Sequence, residues 1–283
     1  MIHQVASQKV YPIDNINSPY FDNLALKTKV TLGRCPICGN VTLFKWALSN
    51  YRETGKCYFC RDTNRKRQVG SIFLYSVYKS TGVKFSSVKT LAQKVSLLDQ
   101  FTDFTIYNTE TYGSIHEYLR DYPGYISSEY LDKSYQSGET INGVCHQDLT
   151  NTSFDDDSVN VLISSDCFEH IPDPYRAFEE VYRILKPGGR HVFTVPFYQD
   201  QYFDETRAYI DENGQLQHLL SPIYHSDPLR KEGILVYVIF SLEMLLKLRK
   251  IGYEVSMYNL RNPWFGILGN NALVFETIKP MEI

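Results

Sequence analysis

Two closely spaced pairs of cysteines are the most specific chemical signal in this sequence. Cys35 and Cys38 form one C-x2-C pair, and Cys57 and Cys60 form a second pair after 18 intervening residues. This spacing is typical of zinc ribbons, in which four thiolates complete a tetrahedron around Zn²⁺. Because four thiolates leave no open coordination position, we predict that the zinc ion is structural rather than catalytic.

Two disulfides are the alternative interpretation of these cysteines. The first ten residues (MIHQVASQKV) contain no apolar run behind a basic start, so they do not indicate a secretory signal. Thiols in the cytoplasm stay reduced, which favours zinc in a cytoplasmic protein. Cys145 and Cys167 lie far from the two pairs, and we predict that they are small core residues rather than nucleophiles.

Basic residues are concentrated around the second cysteine pair. Residues 1–70 contain 11 Lys and Arg against 4 Asp and Glu, whereas the rest of the chain contains 18 against 28. Arg61, Arg65, Lys66 and Arg67 could bind phosphate groups of a nucleic acid or a nucleotide. They could equally form a solvated surface, because no aromatic residues for base stacking alternate with them.

From about residue 100 onward, short β-rich segments alternate with segments of helical periodicity. This alternation is typical of a parallel sheet covered by crossover helices. We predict strands at residues 104–107, 125–128, 143–146, 159–164, 190–196, 253–258 and 272–277. We predict helices at residues 69–80, 175–185 and 241–251, where KPGG and Gly252 end the second and third helix.

One continuous stretch of 50 residues carries a family resemblance. The segment DLTNTSFDDDSVNVLISSDCFEHIPDPYRAFEEVYRILKPGGRHVFTVPF, residues 148–197, resembles class I S-adenosylmethionine-dependent methyltransferases with a methyltransferase type 11-like core. The resemblance implies a Rossmann-like α/β sheet that is mostly parallel, with an antiparallel last strand and helices on both faces. It also implies S-adenosylmethionine as cofactor. A small N-terminal zinc-ribbon-like module would precede this domain.

Ligands of open parallel sheets bind beyond the carboxyl ends of the strands. The candidate cofactor-binding residues are therefore those that directly follow the predicted strands. Glu129, followed by Tyr130, closes the predicted second strand, where a carboxylate can accept hydrogen bonds from both ribose hydroxyls. The resemblance implies that Asp148 contacts the adenine amino group and that the backbone N–H of Leu149 meets a ring nitrogen. Asp148 could instead be a helix cap. The remaining candidates follow the first and fourth strands: Asn108, Thr109, Glu110, Gly113, Ser165 and Asp166.

The first loop departs from the family pattern. Members of the family carry an acidic residue and a G-x-G-x-G turn there, whereas this sequence reads NTETYG at residues 108–113 and retains only Gly113. Thr and Tyr do not easily adopt a positive φ, so we expect this loop to follow another path.

Two histidines are candidate general bases, although both could be purely structural. His170 follows the fourth strand, and His225 lies in an insertion at residues 198–233 that is long enough to be a binding loop or lid. The polar and aromatic residues of this insertion suit a hydroxylated ligand such as a sugar: Tyr198, Tyr202, Tyr209, His218, Tyr224, His225 and Asp227.

These observations predict an N-terminal arm and zinc module at residues 1–68 and a methyltransferase domain at residues 69–283. We expect methyl transfer, most simply to oxygen, on a small polar acceptor such as a glycan or nucleotide-sugar. An RNA or protein methyltransferase that recognises its substrate through the basic module is one alternative, and a non-catalytic methyltransferase-like binding protein is another. No segment is long and apolar enough to predict a membrane span, and the sequence leaves the oligomeric state open.

Overall fold

The structure is a computed structural model that describes residues 7–8, 29–47, 50–226, 231–269 and 273–281. Most of the predicted N-terminal arm lies outside these ranges, as do Asp227 of the insertion and Ala272 at the start of the predicted last strand. The helices, in chain order, are α1 (Asn64–Thr81), α2 (Val88–Lys94), α3 (Gly113–Leu119), α4 (Pro174–Ile184) and α5 (Leu242–Ile251). The strands, in chain order, are β1 (Ser7–Gln8), β2 (Val30–Arg34), β3 (Val41–Lys45), β4 (Lys56–Cys57), β5 (Ile106–Asn108), β6 (Tyr125–Ser127), β7 (Thr140–Ile141), β8 (Val144–Cys145), β9 (Val159–Ser165), β10 (Leu185–Thr194), β11 (Glu205–Thr206), β12 (Ala208–Ile210), β13 (Leu216–His218), β14 (Tyr224–His225), β15 (Ile234–Leu235), β16 (Val238–Ile239), β17 (Glu254–Asn259) and β18 (Leu273–Ile278).

The cysteine module is a three-stranded antiparallel sheet, in the order β2, β3, β4. The strand β3 alternates strictly, with Thr42 and Phe44 buried and its other side chains exposed, as expected for a sheet with one covered face. Gly39, directly after the first cysteine pair, has a φ of +77°, which is the turn geometry that favours glycine. The module therefore places each cysteine pair on a tight turn.

A buried arginine ties the module to the C-terminal part of the chain. The side chain of Arg67 is fully buried and donates hydrogen bonds to the backbone carbonyls of Asp62, Phe265 and Gly266. Its guanidinium also lies 4.3 Å from the centre of the Phe44 ring. Arg67, one of the predicted phosphate-binding residues, is thus a packing residue.

Helix α1 joins the module to the central sheet. The Thr63 side chain caps its N-terminus by accepting from the N–H of Lys66, and Gly82 ends it with a φ of +75°. The helix begins earlier than predicted and runs through the predicted boundary between residues 68 and 69. Its buried face packs against β9, β10 and β18, so module and sheet share one hydrophobic core.

The central sheet has seven strands in the order β1, β17, β18, β10, β9, β5, β6. Neighbouring strands are parallel except that β18 runs antiparallel to both β10 and β17. This arrangement confirms the predicted mostly parallel sheet with an antiparallel last strand. Hydrophobic clusters cover both faces, one with α1 and the module and the other with α4 and α5.

Two predicted elements differ locally from the structure. The segment predicted as the third strand, 143–146, contains β8, which forms a hairpin with β7, and a single parallel bridge between Glu129 and His146 joins this segment to the sheet edge. The KPGG sequence lies within β10, after α4 has ended, and absorbs a register shift between Leu185 and Arg190. Short apolar runs at a sheet edge carry too little periodicity to distinguish a hairpin from a paired strand.

The insertion between β10 and α5 consists of short antiparallel pairs: β11 with β16, β12 with β13, and β14 with β15. It leads back onto the sheet, where Phe240 bridges to Phe197 beyond the end of β10. This places the insertion above the carboxyl ends of the central strands. None of the helices in the described ranges is both long and apolar enough to cross a bilayer.

Candidate active site

A large cleft of about 1800 Å³ opens at the carboxyl ends of β5, β6, β9 and β10. The cysteine module forms one wall, and the insertion forms the opposite wall. Most of the predicted site residues line this cleft: Thr109, Glu110, Glu129, Tyr130, Asp148, Leu149, Ser165, Asp166, His170 and His225. Asn108 and Gly113 lie just behind the lining, where the amide of Asn108 donates to the Glu110 carbonyl and Gly113 begins α3.

Glu129 connects the second strand to the glycine-poor first loop. One of its carboxylate oxygens accepts hydrogen bonds from the backbone N–H of Thr111 at 2.8 Å and from the Thr111 hydroxyl at 3.0 Å. Between β5 and Gly113 the loop contains no positive φ, and the only residue of the NTETYG segment with one is Gly113, at +82°. The loop therefore reaches Gly113 without the positive φ angles that a glycine-rich turn permits, and hydrogen bonds that involve Asn108, Thr111 and Glu129 hold its shape.

Asp148 forms a local turn at the rim of the cleft. Its Oδ1 atom accepts from the backbone N–H of Thr150 at 2.8 Å and from the Thr150 hydroxyl at 2.7 Å, which is the pattern of a capping aspartate. Leu149 is buried beside it. Residues 149–151 form a turn that does not begin a helix, so the Asp148 carboxylate stabilises a turn rather than a helix cap, and it also faces the cleft.

The wall formed by the module is a network of ion pairs. Arg52 donates to both carboxylate oxygens of Asp166, at 2.6 and 2.5 Å. Arg65 Nε lies 3.3 Å from Asp166 Oδ2 and 2.6 Å from Glu53 Oε1. Lys66 pairs with Glu110 of the first loop. Arg52 and Asp166 therefore meet at the cleft, although more than 100 residues separate them in the sequence.

These contacts determine the charge of Asp166. Burial alone would raise the pKa of this carboxyl, but the guanidinium groups of Arg65 and Arg52 outweigh burial and hold its pKa well below the usual range. Asp166 has a φ of +52°, a conformation that Asp adopts more readily than most residues. Arg52 was not among the predicted site residues, because nothing in its local sequence distinguishes it from other surface arginines.

The wall formed by the insertion contains Glu169, His170 and His225. Glu169 Oε1 lies 3.7 Å from His170 Nε2 and 3.5 Å from His225 Nδ1, and the centres of the two imidazole rings are 5.0 Å apart. Burial raises the pKa of Glu169 to about 7, although His225 counteracts it, and the nearby carboxylate raises the pKa of His225. Sequence reasoning missed Glu169, and its position beside His170 in FEHIP was the only available signal.

The four paired cysteines converge as predicted. Cys35 Sγ lies 3.6 Å from Cys60 Sγ, and Cys38 Sγ lies 3.8 Å from Cys57 Sγ. All four sulfur atoms lie within 4.8 Å of one another. A tetrahedron with metal–sulfur bonds of about 2.3 Å has edges of about 3.8 Å, whereas a disulfide needs about 2.05 Å. The spacing fits a four-thiolate zinc site and excludes disulfides in this arrangement.

Part of the chain that forms this cleft matches a known protein family. Residues 114–193, from α3 to β10, match the family described as "Methyltransferase domain". The matched segment contains Glu129, Asp148, Asp166, Glu169 and His170, so most of the cleft floor and part of both walls belong to it.

Similarity to individual curated proteins is confined to a short segment of the sequence. Phosphoethanolamine N-methyltransferase 2 of Caenorhabditis elegans is 43% identical over 42 residues, which is 15% of this chain and 10% of that protein. An uncharacterized methyltransferase of Mycobacterium sp. (strain KMS) is 44% identical over 45 residues, or 16% and 18% of the two chains. The chain thus spans less than a fifth of the length of these curated relatives.

Solved methyltransferase structures are similar at low sequence identity. An S-adenosylmethionine-dependent methyltransferase of Mesorhizobium loti has 16% identity and a TM-score of 0.38, over 68% of this chain and 98% of that chain. A methyltransferase of Haloferax volcanii, in complex with a methyltransferase activator, has 18% identity and a TM-score of 0.40, over 76% and 99%.

Proposed function

We propose that this protein is an S-adenosylmethionine-dependent methyltransferase that methylates an oxygen atom of a small, hydroxylated acceptor containing a sugar. The observation that carries this proposal is the cleft itself. Its floor is formed largely by the segment that matches a methyltransferase family, it lies at the carboxyl ends of the parallel strands, and both Glu129 and Asp148 line it.

The residues of the cleft floor suit the nucleoside half of the cofactor. Glu129 is fixed by Thr111, and a carboxylate with acceptor capacity at this position can bind both ribose hydroxyls. Asp148 and Leu149 flank the place where the adenine would bind, with Asp148 held in its turn by Thr150. We therefore propose that Glu129 binds the ribose and that Asp148 binds the adenine.

The module wall suits the methionine half, which carries one carboxylate and one ammonium group. Arg65 and Lys66 present cationic groups beside the anionic groups of Asp166 and Glu110. We propose that this arrangement replaces the glycine-rich loop of the family, because charged side chains can bind the cofactor where the backbone cannot approach closely. Ser165, Thr109 and Tyr130 complete the lining.

S-adenosylmethionine supplies a methyl group that is already activated by its bond to a sulfonium sulfur. The chain therefore has to hold the acceptor in line with the carbon–sulfur bond and to exclude water. Transfer to a hydroxyl forms an oxygen–carbon bond, breaks the carbon–sulfur bond and releases the hydroxyl proton, leaving S-adenosylhomocysteine. His170 and His225 lie on the acceptor side and are the predicted residues near which that proton leaves.

The insertion wall favours a hydroxylated acceptor. Tyr198, Tyr224 and His225 line the cleft together with Asp173 and Arg176, so the acceptor side is polar and aromatic. A nucleic-acid acceptor is less well supported, because Arg65 and Lys66 are engaged in ion pairs and Arg67 is buried. Of the four basic residues that follow the cysteines, Arg61 alone remains exposed.

A zinc ion bound by Cys35, Cys38, Cys57 and Cys60 has a structural role in this proposal. It would stabilise the turns that precede Arg52 and α1 and thereby hold the cationic wall in place. Binding of S-adenosylmethionine and S-adenosylhomocysteine, measured by calorimetry, tests the cofactor assignment. Methyl transfer from labelled S-adenosylmethionine to a panel of glycans and nucleotide-sugars tests the acceptor class, with an RNA panel as the comparison.

A further inference from the structure

We propose that Glu169, His170 and His225 bind a divalent metal ion on the insertion side of the cleft, separate from the four-cysteine site. The three donor atoms, one from each residue, lie within 4.8 Å of one another. His170 follows β9 of the central sheet, whereas His225 comes from β14 of the insertion. The site therefore connects the methyltransferase domain to the loop that covers it.

The spacing of the donor atoms is close to that of a coordination sphere. Glu169 Oε1 lies 3.5 Å from His225 Nδ1 and 3.7 Å from His170 Nε2. Ligand atoms bound at about 2.1 Å in tetrahedral geometry are separated by about 3.4 Å. The two carboxylate–imidazole distances lie within a few tenths of an ångström of this separation, and the two imidazole donors lie within 4.8 Å of each other.

The hydrogen bond on the far side of His170 fixes the tautomer that a metal requires. Its Nδ1 atom lies 2.7 Å from the backbone carbonyl oxygen of Leu235, and a carbonyl can only accept a hydrogen bond. Nδ1 therefore carries the proton, and the lone pair of the neutral ring lies on Nε2, facing Glu169. Metal-binding histidines characteristically donate their second N–H in this way.

The carboxylate of Glu169 supplies an independent reason to expect a cation. Glu169 is fully buried, and among the described residues neither of its carboxylate oxygens accepts a hydrogen bond. Arg52 and Arg65 do not compensate it, because their guanidinium groups are bound to Asp166 and Glu53. A buried carboxylate without such partners is costly, and a bound metal ion removes that cost.

Two imidazoles and one carboxylate suit a first-row divalent transition metal rather than a soft, thiolate-preferring ion. Three protein ligands leave at least one coordination position open. His170 and His225 both line the cleft, so an open position would face the acceptor. If the proposed function is correct, a metal held by these residues would lower the pKa of an acceptor hydroxyl at that position, the proton would leave to solvent water in the cleft, and the two histidines would act as ligands instead of bases.

Metal content of the tag-free, zinc-loaded protein tests this inference. The protein is dialysed against Mn²⁺ and, separately, Co²⁺, and bound metal is measured by atomic spectroscopy. We expect one equivalent of Mn²⁺ or Co²⁺ in addition to one zinc. Glu169→Gln and His225→Ala should weaken binding of this second ion at least tenfold while keeping the zinc. His218→Ala, which changes an exposed histidine of β13, is the matched control and should bind like the wild type.

Absence of a second equivalent of both ions at millimolar concentration would overturn the site, as would equal binding by wild type and both variants. Retention of zinc and of the thermal unfolding midpoint establishes that the variants are folded. Calorimetry with S-adenosylhomocysteine on the same samples keeps the two proposals apart. A second metal without cofactor binding would contradict the proposed function alone.

Discussion

Asp166 and Glu169 lie three residues apart after the same strand, yet their carboxylates lie in different electrostatic surroundings. Asp166 faces the wall of the cleft formed by the cysteine module, where Arg52 and Arg65 both bind it. Glu169 faces the insertion, where its neighbours are two histidines and no arginine or lysine pairs with it among the described residues. One wall thus has its acidic groups paired with arginine and lysine, and in the other the cationic partners available to Glu169 among the described residues are two histidines.

This difference in charge pairing indicates which kind of ligand each wall can bind. A balanced network of cations and anions suits a zwitterion, because either charge of the ligand finds a partner already in place. An unbalanced carboxylate beside two imidazoles suits a cation. The cleft therefore has a side suited to the amino-acid end of the cofactor and a side suited to a metal and an acceptor.

Loss of the wall formed by the cysteine module should have the largest effect on the protein. Cys57→Ser should lose the zinc ion and destabilise the module, since structural zinc contributes directly to folding. Because Arg52 and Arg65 depend on the module, cofactor affinity should fall as well. Metal analysis and calorimetry measure both effects. Cys145→Ser, at a half-buried cysteine outside the cluster, is the control and should keep the zinc; normal zinc in Cys57→Ser would contradict the site.

Neutralising each of the two acids tests the comparison directly. Asp166→Asn should lower the free energy of unfolding by about 3 kcal/mol, because it leaves two partly buried arginines without their shared partner. Glu169→Gln, measured without added transition metal, should leave the free energy of unfolding unchanged or raise it, because no ion pair with arginine or lysine is broken. Urea denaturation of both variants measures the contrast. Equal destabilisation by Asp166→Asn and Glu169→Gln would contradict the proposed difference in charge pairing between the two walls.

Substitutions in the floor of the cleft, between the two walls, should change the affinity for the cofactor rather than the free energy of unfolding. Glu129→Ala removes the carboxylate proposed to bind the ribose, and should weaken S-adenosylhomocysteine binding at least tenfold, or about 1.4 kcal/mol. Glu139→Ala, at an exposed glutamate of the neighbouring hairpin, serves as the control. An unchanged dissociation constant in Glu129→Ala would exclude Glu129 from the site.

The smallest expected effect concerns the single glycine that remains in the first loop. A Cβ atom added at Gly113 meets nothing within 4 Å, so Gly113→Ala should cost only the strain of a φ of +82°, about 1 kcal/mol. Cofactor affinity should change little, because Gly113 lies behind the cleft lining. Thermal unfolding and calorimetry measure the two quantities. A large loss of affinity would indicate that this backbone contacts the cofactor.

Features with a strong local signature could be predicted from the sequence. The spacing of the cysteine pairs predicts the thiolate cluster, and the periodicity between residues 148 and 197 predicts a strand, a helix and a strand that the structure contains as β9, α4 and β10. The placement of Glu129 at the cleft follows from the rule that parallel strands present their carboxyl ends at one edge.

Features that depend on contacts between distant residues could not be predicted. The pairing of Arg52 with Asp166 joins two separate parts of the chain, and no local pattern specifies it. Glu169 owes its environment to His225 of the insertion, whose position relative to the sheet has no signature in sequence. Likewise, the shift of residues 143–146 into a hairpin depends on edge contacts rather than on propensity.

Calorimetric titration of the zinc-loaded protein with S-adenosylhomocysteine tests the central claim most directly. We predict one binding site per chain, with an affinity that falls in Glu129→Ala and in Cys57→Ser and stays unchanged in Glu139→Ala. Absence of heat and of a thermal shift at millimolar S-adenosylhomocysteine would contradict the assignment of this cleft as a cofactor site.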